Sequence, residues 1–212
     1  MQKLSAKRII IYVIGIVILA CGITMNTKTN LGVSPVISVP YNITQVLGLP
    51  LGLPVFVYYA FLIFLQYVLL PKEFTFKKFL QIICALLTSA CVQVFDIVLP
   101  STEIWPLRIL MLAVAILLTG LGMCITVGMD IVPNPADGLA SDIGKKIGKD
   151  MGLGKNILDA VSIVVAIIIG LVCRGSLLGI GIGTVVAVIF TGRTVALFRG
   201  VQRKLIAFVS EE

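Results

Sequence analysis

Residues 8–22 have the sequence RIIIYVIGIVILACG, and residues 108–122 have the sequence RILMLAVAILLTGLG. These apolar stretches align without gaps at an offset of 100 positions, and the alignment continues into the segments that follow. It pairs identical glycines and prolines: Gly22 with Gly122, Pro35 with Pro135, Gly48 with Gly148, and Gly52 with Gly152. A general apolar bias does not produce matching prolines and glycines in connecting segments. We therefore predict two related halves, residues 1–100 and 101–212.

The composition excludes a water-soluble domain. Of the 212 residues, 58% are hydrophobic and 13% are charged, and the mean hydropathy is +1.10. Soluble domains carry about 25% charged residues, so we expect an integral membrane protein that lies in a lipid bilayer.

The chain has no histidine, which removes the usual general base and the usual zinc ligand. We therefore expect no enzyme and no cofactor.

Six apolar runs are long enough to cross about 30 Å of hydrocarbon at about 1.5 Å per helical residue. They extend over residues 9–25, 53–70, 79–98, 107–127, 157–173 and 177–198. If the N-terminus is cytoplasmic, all of the 17 lysines and arginines except Lys28, Arg108 and Arg174 lie on the cytoplasmic side. This asymmetry predicts cytoplasmic N- and C-termini. It also explains the net charge of +7 without nucleic acid as a partner.

Each half contains three predicted spans. Because three is an odd number, the second half enters the membrane from the side opposite to the first. The predicted fold is therefore an all-α membrane protein of six transmembrane helices in two inverted-topology repeats. Many secondary transporters use this plan to build two alternative open states around one central site. The same plan occurs in channels, so the repeat favours transport without selecting a mechanism.

The segments after the first and fourth spans carry the most specific pattern. In the sequence NPADGL, Asn134 is placed as an N-cap, Pro135 as the first helical residue and Asp137 in the first turn. Ser34 and Pro35 occupy the same places in the first half. We predict short re-entrant or interfacial helices whose N-termini converge on a site for a polar or anionic group. The alternative is that both are capped surface helices.

Asp159 is an ionisable residue in the fifth predicted span, and we expect it to bind a coupling ion. In an alternative interpretation, Asn156 is an N-cap and Asp159 is the third residue of the helix. We expect Asp96 to pair with Arg174 or Arg108. We expect Arg193 to reach the membrane interface or to meet an acid of residues 130–142.

The third predicted span has one polar face, which we expect to turn inward because exposure to lipid is costly. Its members are Gln81, Thr88, Ser89, Gln93 and Asp96. Together with the helix starts, this face and one aromatic of the second span give the predicted substrate-binding residues: Asn30, Ser34, Pro35, Tyr59, Gln81, Gln93, Asn134, Pro135 and Asp137.

Three stretches, NLGVSP, PADGL and CRGSLLGIGIGTVVAVIF, resemble those of the YczE-like (YczE/YyaS) integral membrane proteins of bacteria. The matching residues are Gly32, Ser34 and Pro35 in the first stretch and Pro135, Asp137, Gly138 and Leu139 in the second. The resemblance implies a multi-pass protein of the bacterial cytoplasmic membrane. The chain departs from the family at Val36 and Ile37, where that family often has a tryptophan and an acid.

These features predict a small membrane transporter that moves a small metabolite or ion by alternating access. Two alternatives stay open. One is a substrate-capturing subunit of a multi-component importer, like the six-helix vitamin-binding components, which needs an energising partner. The other is a membrane scaffold or regulator without a substrate. The sequence leaves open whether the chain forms a homo-oligomer.

Overall fold

The computed structural model describes residues 5–210 of the chain. Lys3 is one of the residues that the topology prediction places on the cytoplasmic side, and it lies outside the described range. Within it, regular structure is entirely helical. The helices are α1 (Ala6–Lys28), α2 (Pro35–Leu47), α3 (Gly52–Leu69), α4 (Phe76–Phe79), α5 (Gln81–Val98), α6 (Trp105–Met129), α7 (Pro135–Lys146), α8 (Met151–Arg174), α9 (Ile182–Leu197) and α10 (Arg199–Ser210), with a single 3-10 turn at Pro71–Glu73.

Five helices are long and apolar enough to cross a membrane: α1, α3, α4 continued by α5, α6, and α8. They confirm the first five predicted spans. The sixth prediction is wrong at its start, because residues 177–181 are not helical. Gly179 has a left-handed φ of +66° and Gly181 is extended, so the helix begins only at Ile182. The 16 residues of α9 cover only about 24 Å, and α9 forms a sixth span only together with α10, to which it is bent by 45°.

Helices α1 and α6 cross at two glycines that lie 100 positions apart. A Cβ atom added to Gly22 would lie 2.5 Å from the Thr119 backbone nitrogen, and one added to Gly122 would lie 2.4 Å from that of Leu19. Real Cβ atoms do not approach other atoms so closely. Only glycine therefore permits this backbone-to-backbone approach at both positions.

The ends of α1 and α6 show that the two helices are antiparallel. Near the start of α1, the buried Arg8 donates from Nε to the carbonyl oxygen of Met129 at the end of α6, over 2.6 Å. One turn later, the Tyr12 hydroxyl donates to the Val132 carbonyl oxygen over 2.8 Å. Helices α1 and α6 therefore run in opposite directions.

The polar face of α5 points inward, as predicted, with Gln81, Thr88 and Ser89 buried. The predicted partners of Asp96 are wrong. Its carboxylate pairs with Lys28 over 2.7 Å, because α1 and α5 run parallel and end at the same level.

The arginines for which partners were predicted have other contacts. Arg174 donates to the Gln45 carbonyl oxygen and Arg108 to that of Thr102. Arg193 lies over the ring of Phe190, 5.4 Å from its centroid.

Equivalent positions in the two halves share unusual backbone conformations. Within residues 5–210, the non-glycine residues with positive φ are Asn30, at 54°, and Asp130, at 44°. Gly48 and Gly148 have φ values of 66° and 67°. A non-glycine residue rarely adopts this region, so its occurrence at an offset of 100 residues indicates related local folds.

Replacing Gly122 by alanine is expected to destabilise the protein, because the new methyl group forces α1 and α6 apart. The expected loss is about 1–3 kcal/mol, as for other overpacked cores, measured as a lower melting temperature in detergent. Gly192→Ala is the matched control, because a Cβ atom there meets no atom within 4 Å. Equal melting temperatures for the two variants would contradict the proposed role of the crossing.

Candidate functional site

A central cavity of about 80 Å³ lies where the first turns of α2 and α7 meet. Ser34 and Pro35 line it from one half, and Asn134 and Asp137 from the other. Its remaining polar lining comes from α3, α6, α8 and α9: Tyr59, Thr119, Lys155, Asp159 and Thr191. The predicted convergence of two helix starts is therefore present in the geometry.

The start of α7 follows from its sequence. Asn134 Oδ1 accepts a hydrogen bond from the Ala136 amide over 3.1 Å, and Pro135 is the first helical residue. This confirms the predicted cap. In α2, Pro35 is also first and Ser34 precedes it, but the Ser34 side chain makes no capping bond. The Ser34 carbonyl oxygen instead accepts from the Ser38 amide over 3.0 Å.

Asp159 faces the cavity from within α8, and the interpretation of Asn156 as its N-cap is wrong. The helix begins earlier, at Met151, because Asp150 caps it by accepting from the Leu153 amide over 3.0 Å. Asp159 is therefore more than two turns inside the helix and only 6% exposed. Its Oδ1 lies 3.5 Å from the ammonium group of Lys155, one turn away on the same helix.

Asp137 is the second buried carboxylate of the cavity, also 6% exposed. Among the residues that the structure describes, its carboxylate has no hydrogen-bond or ion-pair partner. Burial raises the pKa of Asp137 to about 6, Lys155 opposes this increase, and Asp159 adds to it.

A buried pair of glutamines holds α7 in place. Gln66 Nε2 donates to Gln81 Oε1 over 2.7 Å, and Gln81 Nε2 donates back to Gln66 Oε1 over 3.1 Å. Gln66 Nε2 also lies 3.2 Å from the carbonyl oxygen of Pro135. A Cβ atom at Gly138 would lie 2.7 Å from the amide groups of both side chains, so a larger residue there would displace the glutamine pair.

The structure brings together six of the predicted site residues and separates the others from them. Ser34, Pro35, Tyr59, Asn134, Asp137 and Asp159 line the central cavity, and their binding roles stay predictions. Four predicted residues have other contacts. Pro135 and Gln81 bind Gln66, while Gln93 Oε1 accepts from the Gly52 amide over 2.8 Å. Asn30 lines separate cavities near Lys28.

Sequence reasoning missed Gln66 and Lys155. A glutamine within the apolar run of α3 was the available signal for Gln66. The spacing of four residues between Lys155 and Asp159 was the signal for their ion pair.

A larger cavity of about 330 Å³, which we call the basic vestibule, adjoins the other side of α7. Lys77, Lys78 and Lys145 line it, and so does Asp137. Asp137 therefore borders both this vestibule and the central cavity.

Three ion pairs connect the segment between α3 and α5 with α7 and with Asp130, the residue that follows α6. They join Lys78 to Asp142 over 2.6 Å, Lys77 to Asp130 over 3.1 Å, and Lys145 to Glu73 over 3.1 Å. They lie around the basic vestibule.

A vestibule of about 260 Å³ lies at the opposite end of the molecule. Thr27, Asn30, Tyr41 and Asp96 contribute to its lining. The molecule thus has a small central cavity and a larger polar cavity towards each end.

The spanning helices and the polar cavities define a multi-pass integral membrane protein. Residues 6–200 match a family of unknown function, DUF6198, and the chain belongs to this family. No curated protein and no solved structure matches the chain significantly. The match does not connect the chain by name with the YczE-like proteins, so that resemblance stays a prediction.

Replacing Gln81 by leucine is expected to destabilise the protein by about 1–3 kcal/mol, because Gln66 loses its buried partner. The double variant Gln66→Leu/Gln81→Leu should lose less than the sum of the single variants, since no amide is then left unpaired. Melting temperatures in detergent measure both effects, with the exposed Gln45→Leu as the control. Additive losses would show that the two amides do not act as a pair.

Proposed function

We propose that the protein is a small transporter of the bacterial cytoplasmic membrane that moves a small polar solute or ion by alternating access. The observation that carries the proposal is the meeting of two helix starts, one from each half, at a central cavity with buried charged groups. Charged groups are rarely buried in membrane proteins without a function.

The proposal includes two inverted repeats, supported by the antiparallel course of α1 and α6. Helix α2 begins at the central cavity, and its last turns reach the vestibule that contains Lys28 and Asp96. Helix α7 begins at the same cavity and reaches Lys145 at the basic vestibule. The two helices therefore extend from the centre towards opposite ends.

The lengths of α2 and α7 support a re-entrant arrangement. With 13 and 12 residues, they cover about 20 Å and 18 Å, which is less than the hydrocarbon thickness of about 30 Å. Half-helices whose N-termini point at the midplane are a common way to build a binding site in transporters.

We place both chain ends in the cytoplasm. Lys7 in α1 lies over the ring of Phe208 in α10, 5.6 Å from its centroid, so the two ends of the described chain adjoin one another. The basic vestibule lies at the same end, because α1 starts where α6 finishes. A concentration of lysine and arginine at one end favours the cytoplasmic side.

The size of the central cavity favours a small substrate. Sites for drug-sized ligands measure about 300–1,000 Å³, whereas this cavity has a volume of about 80 Å³. It therefore fits an ion or a small polar solute better than a vitamin. This observation favours a transporter over a vitamin-capturing subunit.

Each end of the cavity has contacts that a transport cycle has to break. At the basic vestibule these are the three ion pairs, of which the two more exposed contribute about 0–1 kcal/mol each. At the opposite end, Gly181 packs against Leu31 and Gly32. Contacts of this strength suit a protein whose two states differ by a few kcal/mol.

A cysteine at Ser34 is expected to react with a membrane-impermeant thiol reagent from both sides of a proteoliposome, because the cavity opens alternately. The experiment uses a background in which the five native cysteines are replaced. Lys145→Cys and Ser176→Cys are the controls, each expected to react from one side only, and from opposite sides. A Ser34→Cys variant that reacts from one side only, or not at all, would contradict alternating access.

Flux measurements separate a transporter from a capture subunit. A screen of metabolites and vitamins first identifies a solute that raises the melting temperature of the protein. This solute is radiolabelled, and its uptake is measured in proteoliposomes that contain only this protein. Uptake above that of empty liposomes is expected. Binding without uptake would instead favour a subunit that needs an energising partner.

A further inference from the structure

We propose that Asp137 is the residue that loads the central cavity with a proton, while Lys155 keeps Asp159 neutralised. This inference deepens the proposed transport function and rests on it. It also replaces the assignment of Asp159 as the coupling acid, which the sequence alone suggested. The ligand is a proton from the solution in the basic vestibule.

The two carboxylates of the cavity differ in their partners. Asp159 already has a cation of its own chain, Lys155, at 3.5 Å, and the two residues share a helix, so any movement of α8 carries both. Asp137 is equally buried, but its carboxylate has neither a hydrogen bond nor an ion pair within residues 5–210. An unpaired buried carboxylate is unfavourable in its charged form. Proton uptake is the direct way to remove that charge.

Access to solution is also different for Asp137. It borders the central cavity on one side and the basic vestibule on the other. Of these two cavities, Asp159 lines only the central one. A proton from the vestibule can therefore reach Asp137 first.

The titratable groups around Asp137 come from three neighbouring helices. Lys155 and Asp159 face it from α8, Tyr59 from α3 and Cys84 from α5. The other charged groups that line the vestibule are paired: Lys78 with Asp142 over 2.6 Å, Lys77 with Asp130 over 3.1 Å, and Lys145 with Glu73 over 3.1 Å. With both cavity acids ionised and Lys155 positive, the cavity carries one negative charge. One proton makes it neutral.

The step has a simple balance. Hydronium in the vestibule gives a proton to a carboxylate oxygen of Asp137: one O–H bond of hydronium breaks and leaves water, one O–H bond forms on the carboxylate, and the charge of the cavity changes from −1 to 0. The bond breaks when the proton leaves towards the other side. No oxidant, reductant or other co-reactant is needed.

A proton suits the site better than a metal ion. Hard cations such as Ca²⁺ take six to eight oxygen ligands, whereas two side chains whose oxygens could join Asp137 have other partners. Asn134 Oδ1 accepts from the Ala136 amide, and Asp159 is bound by Lys155. Among the described residues, the acids and cysteines form no group of three that could hold a metal.

Infrared difference spectroscopy of the full chain in liposomes tests the proposal, with pH as the only variable. The wild type is expected to show one buried carboxyl group that becomes protonated with a midpoint near pH 6. Asp137→Asn should lose this signal. Asp142→Asn is the matched control on the same helix, and it should keep the signal, because Asp142 is bound by Lys78.

A second variant keeps the proposal testable if Asp137→Asn does not fold. In Lys155→Gln, the cation that favours ionised Asp137 is removed and Asp159 loses its partner. The midpoint should therefore rise, and two buried carboxyl groups should take up protons instead of one. An unchanged single transition in Lys155→Gln would overturn the proposal.

Two further outcomes would overturn it. If Asp159→Asn removes the signal and Asp137→Asn does not, Asp159 is the proton acceptor. If replacing choline by sodium at constant pH displaces the proton, the site binds a metal cation. A confirmed titration together with one-sided reactivity of Ser34→Cys would keep the proton site and reject transport, so the two failures are distinguishable.

Discussion

The structure depends on one close contact, the crossing of α1 and α6 at Gly22 and Gly122. In lipid, helix association depends on packing and polar contacts rather than on removal of apolar surface from water, so backbones that approach closely gain the most. The two glycines meet equivalent partners, Thr119 and Leu19, in the opposite half. This reciprocity fixes α1 antiparallel to α6. It thereby orients the helices that pack on α1 and α6, namely α5, α9 and α10, whereas the two short helices that meet at the centre pack chiefly on α8.

The central cavity lies where α2 and α7 begin. Each of these helices starts at a proline, and the free amide groups of its first turn lie beside the cavity. Asp137 lies in the first turn of α7, where the helix dipole partly offsets the cost of burying its charge. Burial raises its pKa to about 6, against the opposing charge of Lys155. A buried acid whose pKa is raised in this way is suited to exchange protons within a cycle.

Much of this architecture could be predicted from the sequence, and the failures have physical causes. Five spans could be predicted from the length of their apolar runs, and the cap of α7 could be predicted from the Asn134–Pro135 pair. Both are local signals in the sequence. The start of the last span could not be predicted, because apolar leucines and isoleucines around Gly179 hide a non-helical segment that packs on Leu31. The ion pair of Lys155 with Asp159 had a local signal, but the cap at Asp150 moves the helix start away from Asn156. The place of Asp137 between two cavities depends on three helices from both halves, so no local pattern reveals it.

An experimental structure of the full chain in a lipid nanodisc tests the central claim most directly. The account predicts that residues 6–98 superpose on residues 106–198 after a half-turn about an axis in the membrane plane. It also predicts that α1 crosses α6 in the antiparallel direction at the two glycines. Halves that superpose without such a rotation, or parallel α1 and α6, would contradict the account.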